Sequence, residues 1–133
     1  MPGRTSHVAC IMLSLSFALV LIAAALGAVL VWLHLRPGAP RPGWRLGALH
    51  GVLGTAALAT LALALRGPPR GEALGVGPFG GIAAVLLTLA LAMGLVLPLI
   101  RRRRGRLTSG PIGIHAMIAI SGVAILAAYT LVG

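Results

Sequence analysis

Residues 46–65, LGALHGVLGTAALATLALAL, decide the fold, because they run for 20 positions without Asp, Glu, Lys or Arg. A helix rises about 1.5 Å per residue, so about 20 residues cross the hydrocarbon core of a bilayer. Three further runs, at 8–35, 79–100 and 112–132, are as long and as apolar. Leu and Ala dominate all four and polar residues do not alternate with them, which favours helices over strands.

The four runs predict an all-α integral membrane protein, an up-down bundle of four helices at about 8–35, 46–65, 79–100 and 112–132. One domain covers residues 1–133. The chain is 59% hydrophobic with a mean hydropathy of +1.05, well above a soluble domain. A cleaved signal sequence is the main alternative for the first run. That run spans about 28 residues, whereas the apolar region of a signal spans about 7–15, so we expect a retained helix.

The net charge of +10 comes entirely from arginine and not from lysine. We expect no nucleic-acid partner, because the arginines sit at the ends of the apolar runs and no aromatic residues are interleaved to stack bases. One side of the membrane carries Arg36, Arg41, Arg45, Arg101, Arg102, Arg103, Arg104 and Arg106. The other side carries Arg4, Arg66 and Arg70, with Glu72 beside them. The richer side is expected to be cytoplasmic, which places both termini outside the cytoplasm of a bacterial inner membrane.

Several chemistries are excluded by composition. Glu72 is the only acidic residue, so paired carboxylates, a Ser/His/Asp set and a ring of acids around a cation pathway cannot form. Cys10 is the only cysteine, so the chain has no internal disulfide and no cysteine-based metal cluster.

An internal repeat relates the two halves of the chain at an offset of 65 positions. His50 in the second run matches His115 in the fourth, and Arg36 and Arg41 match Arg101 and Arg106. The match predicts a tandem repeat of a two-helix hairpin. Both histidines then lie about one turn into helices that enter from the same side, at one depth and diagonally opposed.

Small residues share the helix faces of the two histidines. Gly54 lies four positions after His50, and Gly122 seven after His115, so each is on its histidine's face. Two imidazoles with small residues beyond them match the needs of haem b, which takes two axial ligands and a slot for the macrocycle. Arg45 and Arg101 are candidates to bind its propionates.

This pattern of two histidines, glycines and a hairpin repeat resembles four-helix membrane b-type cytochromes, such as the cytochrome b561-like proteins and the quinol-oxidising cytochrome b bundle. The resemblance implies haem b and electron transfer with a quinone or a partner membrane subunit. In those families a second haem usually has ligands about 14 residues further along each helix. Ala64 and Tyr129 stand at those positions here. The resemblance therefore implies a single haem near the cytoplasmic face.

Other interpretations remain open at the level of sequence. Histidines close to the membrane interface can simply hydrogen-bond a carbonyl or a headgroup, which makes the chain a non-catalytic accessory or assembly protein with no cofactor. Transport of a small solute between the hairpins is a third interpretation. His34, at the end of the first run, is either a further ligand or proton relay, or an interfacial side chain.

Overall fold

The computed structural model describes residues 2–38, 43–68, 70–105 and 109–132. Four long helices make up most of this part of the chain: α1 (Pro2–Leu35), α2 (Trp44–Ala64), α3 (Phe79–Arg104) and α4 (Ser109–Val132). A short 3₁₀ turn, Glu72–Leu74, lies in the connection between α2 and α3. The described residues contain no strand. The chain is all-helical, and each of the four helices is long and apolar enough to cross a membrane.

The helices run past the apolar segments from which they were predicted. α3 continues through Arg101 to Arg104 and stops where Gly105 adopts a φ of +70°. Glycine reaches this left-handed conformation without a Cβ clash and commonly terminates helices. Charged residues end the apolar run but not the helix, because arginine is a good helix former at a water interface.

The helices pack mainly in consecutive pairs. α1 and α2 form one extensive interface and α3 and α4 form the other, whereas α1 with α4 and α2 with α3 form smaller ones. Within the first pair the contacts run in opposite order along the two helices: the buried Ser16 hydroxyl donates to the Ala57 carbonyl at 2.8 Å, and Ala23 further along α1 meets His50 earlier in α2. In the second pair Gly80 meets Tyr129, and Ala90 meets His115.

A compact apolar core fills the end of the bundle that is farther from the arginine-rich side. Its buried members come from all four helices: Leu13, Val20, Ala57, Leu61, Ala83, Leu126 and Tyr129. Gly80 lets α3 approach this core, because a Cβ there would lie 2.5 Å from Leu65 Cδ2 and 2.9 Å from the Tyr129 ring. Most other apolar side chains are exposed, as expected for helices whose outer faces meet lipid.

The packing predicts opposite outcomes for two adjacent glycines in α3. Gly80→Ala forces a methyl group into the Tyr129 ring, so we expect a loss of roughly 1–3 kcal/mol of stability from overpacking. Gly81→Ala is the matched control, since a Cβ there has no heavy atom within 4 Å. Unfolding in detergent, followed by circular dichroism, measures both. Equal stability of the two variants would contradict the described contact.

Candidate functional site

His50 and His115 face each other inside the bundle. His50 is the seventh residue of α2 and His115 the seventh of α4, so each lies about 9 Å along its helix from the arginine-rich end. Both side chains are half-buried. Their ring centroids are 6.1 Å apart, and the ring planes make an angle of 75°. The structure therefore brings together the two residues that the sequence predicted as ligands.

Each imidazole is hydrogen-bonded to the helix that precedes its own. His50 Nδ1 lies 2.8 Å from the Ala23 carbonyl oxygen in α1, and His115 Nδ1 lies 2.9 Å from the Ala90 carbonyl oxygen in α3. A carbonyl oxygen only accepts, so Nδ1 must carry the proton in both rings. A neutral imidazole in this tautomer has its lone pair on Nε2. Metal-binding histidines characteristically donate the other ring N–H in this way, which fixes the ring orientation.

Two glycines provide the surfaces on which the rings lie. A Cβ added at Gly27 in α1 would lie 3.0 Å from His50 Cε1, and one added at Gly94 in α3 would lie 3.3 Å from His115 Cε1. Each glycine follows the hydrogen-bonding alanine by four residues, which is one helical turn. The same local arrangement of alanine carbonyl, glycine and imidazole thus occurs once in each helix pair.

Sequence reasoning missed Ala23, Gly27, Ala90 and Gly94. These residues of α1 and α3 correspond at an offset of 67 positions, whereas His50 and His115 in α2 and α4 correspond at 65. The gapless offset of 65 pairs Arg36 with Arg101. The contacts around the histidines instead relate residues of α1 to residues of α3 that lie 67 positions later. An alignment that allowed a two-residue gap between helices would have revealed the shared Ala-x-x-x-Gly pattern.

Packing is uneven about the level of the histidines. Along α1 the buried residues end at Ala23 and along α3 at Ala90, while in α2 they begin at Ala57 and in α4 at Gly122, among the residues whose burial is described. Between the level of the histidines and the arginine-rich end, the residues whose burial is described are half-buried or exposed.

The two glycines that the sequence predicted beside a haem, Gly54 and Gly122, have different surroundings. A Cβ at Gly54 would meet no heavy atom within 4 Å, and the same holds at Gly47, one turn before His50 on the same face. Gly122, in contrast, packs against α3, because a Cβ there would lie 3.1 Å from Leu87 Cγ. Gly122 therefore serves close helix packing, and of the two predicted positions only Gly54 borders free space.

The predicted arginines Arg45 and Arg101, and His34, lie at the arginine-rich end. Arg45 and Arg101 are exposed, near the start of α2 and the end of α3. Arg36 places its guanidinium carbon 4.8 Å from the centroid of Trp32, a cation–π contact. Arg41 and Arg106 lie outside the described residues. His34 is exposed at the end of α1.

The donor set is a pair rather than a cluster. Within the described ranges no group of three or more His, Cys, Asp or Glu side chains could hold a metal, so His34 does not join the two central imidazoles. At the far end, where a second pair of ligands would stand, Tyr129 is buried in the core and Ala64 packs against it. The described structure thus offers one site, formed by two imidazoles.

Comparison of this chain with protein family models, with curated proteins and with solved structures finds no match in any of the three.

The hydrogen bonds to the helix carbonyls predict the tautomers of the histidines. We expect His50 and His115 to be protonated at Nδ1 and unprotonated at Nε2. The exposed His7 and His34 are internal controls, because a freely solvated imidazole prefers the opposite tautomer. Nitrogen chemical shifts of ¹⁵N-histidine-labelled protein in detergent, assigned with single-histidine variants, measure this. A proton on Nε2 of both central rings would contradict the geometry.

Proposed function

We propose that this chain is a membrane b-type cytochrome with a single haem, whose iron is held by Nε2 of His50 and of His115. The observation that carries the proposal is the matched pair of imidazoles, which approach each other inside a membrane bundle with Nδ1 of each committed to a helix carbonyl. Ionisable side chains inside a membrane segment are functional candidates by default. Two of them, aligned from two different helices with the same nitrogen left for a ligand, are a stronger indication than either alone.

The distance between the rings fits a shared metal. Ligand nitrogens lie about 2 Å from a bound metal, and each ring centre is roughly 1 Å beyond its nitrogen, so two imidazoles on opposite sides of one metal have centroids about 6 Å apart. The observed separation is 6.1 Å. The angle of 75° between the planes is compatible with this arrangement, because each ring can rotate about its bond to the metal without changing that distance.

The surroundings of the pair also fit a large planar ligand better than a bare ion. Neither Gly47, which is exposed, nor Gly54, which is half-buried, presents a side chain on the His50 face, and a Cβ at either would meet no heavy atom within 4 Å. The exposed Arg45 and Arg101 lie at the arginine-rich end and would bind the haem propionates by charge-assisted hydrogen bonds. Gly122 is not part of this proposal.

When bound, haem b supplies an iron that takes up and releases one electron. The chain's own residues would hold the ring through the imidazoles of His50 and His115 and would provide positive charge from Arg45 and Arg101 at the arginine-rich side. The hydrocarbon core is about 30 Å thick, and the site lies near one edge of it. A single site there cannot carry an electron across the bilayer, so the electron is exchanged with a quinone or a partner membrane subunit on the arginine-rich side.

We also propose that the bundle has an up-down arrangement and arose by tandem duplication of a hairpin. The support is the repetition of one local structure: alanine carbonyl and glycine in the first helix of each pair, and histidine at the seventh position of the second helix. In this arrangement α2 and α4 are diagonal neighbours, consistent with the smaller interfaces between the two pairs. The duplication then explains how one chain provides two equivalent ligands.

A second candidate function is that of an accessory or assembly protein without a cofactor. The observation in its favour is that each imidazole bonds to the adjacent helix and lies on a glycine there, so the histidines and glycines also tie each helix pair together. Interhelical hydrogen bonds in membranes contribute about 0.6 kcal/mol each, which makes such a role modest. The spectrum of the purified protein distinguishes this function from the first.

The multi-pass topology is proposed to place the arginine-rich end in the bacterial cytoplasm and both termini outside it. We expect alkaline phosphatase fused to the C-terminus to be active and a green fluorescent protein fusion at the same point to be dark. Fusions in the connection between α1 and α2 are the control and should give the reverse pattern. An active phosphatase in that connection would contradict the orientation.

The haem proposal predicts the visible spectrum of the protein purified in detergent after expression with ample haem. We expect a Soret band and sharp α and β bands after reduction with dithionite. His50→Ala and His115→Ala should each abolish the bis-imidazole spectrum, because each removes one axial ligand. His34→Ala is the matched control and should leave the spectrum unchanged.

Two results would contradict the proposal in different ways. A colourless wild-type protein, with haem supplied in excess, would reject the cytochrome and leave the accessory function. A coloured protein whose spectrum depends on His34 but not on His50 and His115 would show that the ligands have been assigned to the wrong residues.

A further inference from the structure

We infer that Gly27 and Gly94 are positioning residues for the ligand pair, each setting where the imidazole that lies on it presents Nε2. The inference rests on the proposed function, since it concerns how the two ligands are aimed. Both glycines belong to the helix before the one that carries the histidine. Neither was identified from the sequence, and neither would touch the iron.

The neighbours of these glycines point to a role specific to the imidazoles. The three heavy atoms nearest to a Cβ at Gly27 all belong to the His50 ring: Cε1 at 3.0 Å, Nδ1 at 3.5 Å and Nε2 at 3.8 Å. At Gly94, the contacts within 4 Å that a Cβ would make outside its own helical turn, in the described part of the chain, are to Cε1 and Nδ1 of His115. Glycines that serve general packing in this chain meet other side chains instead, as Gly80 meets Leu65 and Gly122 meets Leu87.

A methyl group at either position would displace the ring. Carbon atoms pack best at about 3.5–4.0 Å, and both distances to Cε1 are shorter than that. The imidazole is rigid and is already tied to the Ala23 or Ala90 carbonyl through Nδ1, one turn before the glycine. Moving Cε1 away therefore rotates the ring about that hydrogen bond, or breaks the bond, and in both cases swings Nε2 away from its original direction.

The imidazole lies closer to Gly27 than to Gly94, so we expect a larger effect from substitution at Gly27. The gap at Gly27 is 3.0 Å and the gap at Gly94 is 3.3 Å, so the added methyl must displace His50 further than His115. Gly51 in α2 and Gly81 in α3 are matched controls, because a Cβ at either meets no heavy atom within 4 Å. All four changes replace a helical glycine by alanine, so they share the same effect on helix propensity.

The experiment compares Gly27→Ala, Gly94→Ala, Gly51→Ala and Gly81→Ala with the wild type. Loss of partners that orient a ligand typically lowers affinity about 10- to 100-fold, and we expect a haem affinity loss in that range for Gly27→Ala. Gly94→Ala should lose less, and the controls should match the wild type. In ferric protein, the electron paramagnetic resonance g-values report the angle between the axial imidazole planes. They should shift only in Gly27→Ala and Gly94→Ala.

A second readout needs no haem. In the haem-free protein, the ¹⁵N shifts of His50 should move towards a mixture of tautomers in Gly27→Ala, and those of His115 should do so in Gly94→Ala, each without affecting the other ring. A role in helix packing alone would lower thermal stability but leave the tautomers and g-values as in the wild type. That result would overturn the inference.

The two readouts separate failure of this inference from failure of the proposed function. In one outcome, the wild type binds no haem while the histidine tautomers still change in Gly27→Ala and Gly94→Ala and not in the controls. That result rejects the cytochrome and shows that each glycine sets the orientation of its imidazole. A wild-type haem protein whose g-values and affinity are unchanged in Gly27→Ala and Gly94→Ala keeps the cytochrome and rejects the positioning role.

Discussion

A hydrogen bond from an imidazole to the carbonyl of a neighbouring helix, made twice, is the constraint on which the centre of this bundle depends. A polar ring inside a membrane helix is costly unless its N–H finds a partner, and main-chain carbonyls of helices are the most abundant acceptors there. Ala23 and Ala90 supply those carbonyls, and the absence of a side chain one turn later lets each ring lie against the helix. The ring orientation, the tautomer and the separation of 6.1 Å follow from these contacts.

The two ends of the bundle differ in burial and in charge. Leu13, Leu61, Leu126 and Tyr129 fill the far end with an apolar core to which all four helices contribute. At the arginine-rich end, the arginines whose burial is described are exposed, and the described residues beyond the histidines include none that is buried. The histidines lie at the boundary between these regions, where they are half-buried.

The sequence was sufficient for the membrane class and the number of long helices, because both depend only on uninterrupted apolar length. It also pointed to His50 and His115, since rare polar residues stand out in an Ala/Leu-rich chain. It could not show that Gly27 and Gly94 contact these histidines. Each lies in a different helix from its histidine, and helix partners are set by packing rather than by local pattern. Gly122 shares a helix face with His115, but which neighbouring helix that face meets is a tertiary property, and here it is α3.

The absence of buried residues beyond the histidines, among those whose burial is described, affects how such a protein can change over generations. Substitutions in a dense interior are usually destabilising, whereas residues with free space around them accept larger side chains at little cost. The buried cluster lies in one half of this bundle, and the candidate site borders the other half. A substitution at Gly47 or Gly54 would therefore meet no neighbouring heavy atom at its Cβ and would leave the buried cluster unchanged. The half that borders the candidate site can in this way change gradually while the other half maintains the fold.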